Sequence, residues 1–163
     1  MASSKNKNNW KDYIWLAWFS LQVLVIIFVD AVPFYPKHLY EPPGSPLHLL
    51  QRIRTFYVAT YNDPIVQWTP ALGRDSWIPL FTRIEMLFQL PAAAYAVHRL
   101  GRRRRAGTTG ADELLYLVYA LETALTTLVC LNDVLWWDDV VYPAGLKRVF
   151  IFQIYGPWFA IRK

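Results

Sequence analysis

A chain of 163 residues that is 55% hydrophobic and 17% aromatic, with 8 Trp, carries more apolar surface than one soluble domain of that size can hide. Its net charge of +5 is gathered in short blocks at the ends of apolar runs: Lys5, Lys7 and Lys11, then Arg99 with Arg102 to Arg105, then Arg162 and Lys163. That pattern argues against a nucleic-acid face, which needs basic groups on one solvated surface with aromatics among them, and fits anchoring at a bilayer.

Taken in chain order, the basic segment Met1 to Lys11 runs into an apolar stretch from Tyr13 to Phe34, closed by Pro33 and Pro36. It is longer than a signal-peptide core and lacks a clear small-residue cleavage site, so it reads as a retained first span. Further spans are expected near Trp77 to Leu100 and Leu114 to Trp137, each about the ~20 residues that a crossing requires. A fourth, around Tyr142 to Ile161, is weaker, because Lys147 and Arg148 interrupt its start and would snorkel outward. The expected fold is therefore all-α, a four-helix transmembrane bundle in a single domain, 1–163. Between the first two spans lies a Pro-rich loop, Tyr35 to Ser76, whose later part, Leu47 to Tyr61, is expected to form a short amphipathic helix capping the bundle. Basic excess at both termini and in the Gly101 to Gly110 loop puts these on the cytosolic side and the capping loop on the other.

Ionisable groups inside such spans are functional candidates by default, since burying each in lipid costs roughly 2.5–3.5 kcal/mol. Asp30 follows Val-Ile-Ile-Phe-Val near the non-cytosolic end of span one. Glu85 lies more than two turns inside span two, with Gln89 on the same helical face. Arg83 points elsewhere, toward the interface or toward Asp30. Span three carries Tyr116, Tyr119, Thr123, Thr126 and Thr127 at three- and four-residue spacing, a stripe that serves helix packing or a ligand wall equally well. Glu122 falls among them and is expected to face inward. Asp63, in Tyr-Asn-Asp-Pro, reads by itself as a turn or helix cap.

Phe19-Ser20, Phe28-Val29-Asp30, Pro36-Lys37-His38-Leu39-Tyr40, Tyr61-Asn62-Asp63-Pro64-Ile65 and Glu85-Met86-Leu87-Phe88-Gln89-Leu90-Pro91 together resemble the EXPERA family. Tyr155-Gly156-Pro157-Trp158 is similar to that family's Tyr-Ala-Pro motif in span four. The resemblance implies an endoplasmic-reticulum membrane protein, multi-pass and often a homodimer, with a ligand cavity inside the bundle. It implies that Asp30 pairs with a cationic ligand amine, that Asp63 orients it and shares protons with it, and that Glu85 and Gln89 complete the acidic face. Tyr116, Tyr119, Thr123, Tyr155 and Trp158 would contact the ligand. The sterol-isomerising members have a histidine one turn before the first-span acid, where this chain has Ile26, and the end of the chain at Lys163 implies a shortened fourth span.

Two function classes follow. One is a binder of a sterol- or terpenoid-like apolar molecule; the other is an isomerase or cyclase in which paired carboxyls donate and recover a proton beside cation-stabilising aromatics. A trafficking role has no specific sequence signal. No metal or organic cofactor is expected, since His38, His48 and His98 lie in loops or at span ends, Cys130 is the single cysteine, and the 7 Gly form no phosphate-cradling loop.

Overall fold

The computed structural model describes residues 10–70, 77–102 and 108–160. Most of the basic blocks, including Lys5, Lys7, Arg103 to Arg105, Arg162 and Lys163, lie outside the described residues, as does Ile161. All regular structure among the described residues is helical. The chain divides into two compact units, Met1–Thr109 and Gly110–Lys163.

In the first unit, α1 spans Trp10–Val25 and continues as a π-helical turn, Ile26–Asp30. The short helix α2 spans His48–Tyr61 and α3 spans Pro64–Gln67. A second long helix runs over 78–102 as α4, Ile78–Ile84, a π-helical turn, Glu85–Gln89, and α5, Leu90–Arg102. In the second unit, α6 spans Gly110–Trp136. The last helix comprises α7, Ala144–Val149, a π-helical turn, Phe150–Tyr155, and α8, Gly156–Ala160.

Among the described residues, two helices are long and apolar enough to cross a membrane, Asp12–Asp30 and Gly110–Trp136. The helix over 78–102 carries Arg83, Glu85, Arg99 and Arg102. The described part of the last helix, 144–160, is shorter than the ~20 residues of a full crossing.

Helices α1 and α5 pack closely within the first unit. Phe19, Gln22 and Ile26 are buried on α1, and Gln89, Ala92, Ala93, Ala96 and Leu100 are buried on the opposing helix. Each set repeats at three- and four-residue intervals, the signature of one helical face. Three alanines in the contact let the backbones approach where bulkier side chains would hold them apart.

Prolines account for the three π-helical turns. Pro33, Pro91 and Pro157 each follow such a turn by two or three residues. A proline lacks its N–H and its ring crowds the carbonyl four residues back, so the preceding turn widens to five-residue bonding. Ala31 N–H accordingly donates to Ile26 O at 2.8 Å, and Leu90 N–H donates to Glu85 O. The Tyr35 hydroxyl donates to Ile27 O at 2.7 Å, satisfying a carbonyl beside the interrupted ladder. Tyr35 and Leu47 then pack on Val32, Tyr40 and Leu50, a small core that fastens α2 to the end of the first helix.

In the second unit α6 packs on α8 and on the turn Phe150–Tyr155. Its buried face runs Asp112, Tyr119, Thr123, Thr127 and Val134. The Lys147 ammonium is turned inward, in contrast to the snorkelling expected of it. It donates to Leu135 O at 3.1 Å, Trp137 O at 2.6 Å and Asp139 Oδ1 at 2.8 Å. The last carbonyls of α6 have no helical donors ahead of them, and a cation there satisfies both their hydrogen bonds and the negative end of the helix dipole. Arg148, by contrast, is exposed.

Candidate acidic site in the first unit

Asp30 ends the π-helical turn of the first helix, and Glu85 begins that of the second. The two side chains are hydrogen-bonded to each other, and the Arg54 guanidinium and Asp63 carboxyl lie close enough to act on Asp30 electrostatically. The end of one helix thus meets the start of the other, as an antiparallel pair requires.

Asp63 is fully buried and fixed by its own neighbourhood. It is the N-cap of α3, where Oδ1 accepts from Ile65 N–H at 2.9 Å and Val66 N–H at 3.4 Å. Oδ2 accepts from the Tyr57 hydroxyl at 2.8 Å. Those donors stabilise a charged carboxylate, so Asp63 acts first as a cap. Burial, and next the adjacent Asp63, push the Tyr57 phenol well above its ordinary range, so it stays a donor.

Arg54 and Tyr57 project from one face of α2 together with Leu50 and Tyr61, while Leu49, Ile53 and Phe56 are exposed on the other. Arg54 Nη2 donates to Val66 O and, at 3.4 Å, to Trp68 O, tying the strap after Asp63 to α2. Burial draws its guanidinium below the ordinary arginine value, and Tyr40 and Asp30 oppose that shift. It remains a cation in any accessible medium.

Asp30, Glu85 and Arg54 border a cavity of about 80 Å³. Asp30, Arg54, Thr82 and Glu85 form its polar wall, and Pro33, Phe34, Ile65, Val66, Trp68 and Ile78 complete it. The Phe34 and Trp68 rings lie 6.3 Å apart there. That volume compares with roughly 30 Å³ for one water in the liquid, and with about 300–1,000 Å³ for drug-sized ligand sites. It accommodates the polar end of a molecule, not a ring system.

Of the residues singled out in the sequence, Asp30 and Glu85 are brought into contact and Asp63 lies beside them. Gln89 is buried on the helix-packing face and does not line the cavity. Arg83 is exposed, and the guanidinium that faces Asp30 belongs to Arg54. Tyr119 and Thr123 are buried on α6, with Tyr116 half-buried on the same helix. The Glu122 carboxylate oxygens are shut off from solvent, and the Thr126 hydroxyl donates to Glu122 O and Thr123 O at 3.1 Å. Tyr155 stacks on Phe150 at 6.2 Å, and Trp158 is half-buried in α8. Arg54 and Tyr57 escaped the sequence reading, although their spacing from Leu50 and Tyr61 marks the inner face of an amphipathic helix. No group of three or more His, Cys, Asp or Glu suited to a metal ion occurs among the described residues.

Two helices long and apolar enough to cross a membrane, and a carboxyl pair where two of the first unit's helices meet, describe a protein that is helical throughout its described regular structure and fits a membrane-associated class. The chain belongs to the EXPERA (EXPanded EBP superfamily) family, whose profile matches residues 49–162. The match includes Asp63, Glu85 and the Tyr155-Gly156-Pro157 segment, while Asp30 precedes it. The chain is also 27% identical over 153 residues to efficient mitochondria targeting-associated protein 19 of Schizosaccharomyces pombe, covering 92% of this chain and 69% of the relative. No solved structure matches.

Proposed function

We propose that the chain is a four-span protein of the endoplasmic-reticulum membrane that binds a sterol- or terpenoid-like molecule, with the polar end of that molecule at Asp30 and Glu85. The hydrogen bond between these two carboxyls, at the edge of a small cavity, carries the reading. Two carboxyls bond to each other only around a shared proton, so the site offers a donor and an acceptor side by side. The cavity's size suits a hydroxyl or carbonyl with its first few carbons, leaving the apolar body outside the polar wall.

The same pair is suited to cofactor-free isomerisation. The shared proton would add to one alkene carbon, and the carboxylate would remove a proton from a neighbouring carbon, so the double bond moves and the acid is restored. Phe34 and Trp68 would face the intermediate cation. Lipids and terpenoids co-purifying with the wild type and with Asp30→Asn should be compared by mass spectrometry, then incubated with each protein. A species lost in the variant and returned unchanged by the wild type supports binding alone. Conversion to an isomer of identical mass by the wild type alone supports the enzyme. Equal content without conversion in both would sink the Asp30 site.

A second reading rests on the relative's name, which associates that protein with mitochondrial targeting. On that reading the chain assists precursor delivery. Cells lacking it would import mitochondrial precursors more slowly with unchanged sterol and terpenoid profiles; normal import would count against the role.

A further inference from the structure

We propose that the outer face of α2 is an interfacial membrane anchor: Leu49, Ile53 and Phe56 dip into the acyl boundary beside the end of the first helix, and Arg52 meets lipid phosphate there. The inference rests on the proposed reading of the first helix as a membrane crossing and is independent of any ligand.

α2 packs on the π-helical turn Ile26–Asp30, and that turn is the last stretch of the apolar helix Asp12–Asp30. Val32, Tyr40 and Leu50, with Tyr35 and Leu47 against them, clamp the start of α2 to the chain that leaves that helix. The final turn of a crossing helix lies at the headgroup boundary, and α2 beside it lies there too, not out in bulk water.

The side chains of α2 divide into three faces, as the helical period requires. Leu50, Arg54, Tyr57 and Tyr61 form the inner face, where Arg54 is bonded to Val66 and Trp68 and Tyr57 to Asp63. Leu49, Ile53 and Phe56 make an adjoining strip and are 63%, 44% and 70% exposed. Arg52, Thr55 and Ala59 form a third, exposed face beyond that strip. An apolar strip between a packed face and a polar one suits a helix lying in the plane of an interface. Moving three large apolar side chains from water to the acyl boundary is favourable, and it needs no partner beyond the bilayer that the neighbouring helix crosses. No Asp or Glu occurs in α2, and Arg52 stands one turn from both Leu49 and Phe56. Its aliphatic stem can lie along the strip while the guanidinium reaches phosphate.

The test uses spin labels on the full chain in a Cys130→Ser background, in nanodiscs of zwitterionic lipid mixed with anionic phosphatidylglycerol. Labels go, one at a time, at Leu49→Cys and Phe56→Cys on the strip and at Thr55→Cys on the polar face. A further label goes at Leu21→Cys, which is exposed midway along the first helix. Oxygen concentrates in the acyl region and a nickel chelate in water, so the ratio of their collision rates reads immersion. The strip labels should give a ratio at least about threefold above that of Thr55→Cys. Arg52→Glu should lower the strip ratio at least about twofold by repelling phosphate, and Arg52→Lys should leave it unchanged.

Strip labels as open to the chelate as Thr55→Cys would overturn the anchor. Strip labels shielded from both reagents would overturn it in favour of a protein partner or a second copy. An unchanged ratio in Arg52→Glu would overturn the phosphate contact. The Leu21→Cys label separates two failures: immersion there beside a wet strip leaves the crossing intact, whereas water at both sites removes the crossing as well. Two strip positions keep the result decisive if one labelled variant fails to fold.

Discussion

Asp30 and Glu85, 55 positions apart in the chain, each border a π-helical turn and are hydrogen-bonded to one another. Both turns precede a proline, so the residues that distort the two helices also set the register at which the carboxyls meet. An amide at position 30 can donate to a Glu85 carboxylate, whereas an alanine removes the partner altogether. Asp30→Asn should therefore melt close to the wild type, while Asp30→Ala should lose about 1–3 kcal/mol, read from thermal unfolding in detergent. Equal losses in the two variants would show that the bond contributes nothing to holding the helices together.

Tyr57 supplies a pH test outside the spans. Burial and Asp63 raise the folded phenol's pKa above the ordinary 10.0, so the unfolded chain releases this proton first. Its contribution is fully present below about pH 10 and fades as pH rises beyond it. Tyr57→Phe should be less stable than the wild type at pH 8 by about 1 kcal/mol, with a shallower loss of melting temperature between pH 9 and 11. Parallel profiles for the two proteins would contradict the assignment.

Lys147 separates a helix cap from an ion pair. Its side chain is 11% exposed, whereas its partner Asp139 is 88% exposed. A solvated pair of that kind contributes at most about 1 kcal/mol, while stripping the donor from two part-buried helix-end carbonyls costs about 1–3 kcal/mol. Lys147→Met should accordingly lower the melting temperature clearly more than Asp139→Asn. The reverse order would mean that the ion pair dominates.

Gly156 follows the π-helical turn of the last helix, and a Cβ there would collide with Ile151 O, a backbone atom with little freedom to withdraw. Gly156→Ala should cost about 1–3 kcal/mol by overpacking. Gly145, where a Cβ would meet nothing within 4 Å, serves as the control, and Gly145→Ala should be neutral or slightly stabilising. Equal melting temperatures for the two variants would show that the turn relaxes without cost.

Much of the helix layout is legible before any coordinates, because length and apolarity are local properties. The expected segments Tyr13 to Phe34, Trp77 to Leu100 and Leu114 to Trp137 correspond to helices 10–30, 78–102 and 110–136, and the capping helix at Leu47 to Tyr61 is observed over His48–Tyr61. Two of the long segments meet the length and apolarity of a crossing. The aliphatic setting of Asp30 was likewise visible, since a charge inside an apolar run stands out in the sequence, whereas the helix that carries Glu85 is not among the described helices long and apolar enough to cross.

Which charge faces which was not legible. Arg83 and Arg54 look equally available to Asp30 in one dimension; the fold of α2 over the end of the first helix brings Arg54 to it and leaves Arg83 exposed. Lys147 has the sequence signature of a snorkelling residue, yet the turn after α6 carries it back onto that helix's carbonyls. Composition and periodicity established a helical chain with long apolar segments and carboxyls set among apolar residues, because hydrophobic burial depends on each segment's own residues. Pairing of carboxyl with carboxyl, and of cation with carbonyl, was decided by tertiary structure alone, because hydrogen bonds act over a few ångströms between residues far apart in the chain.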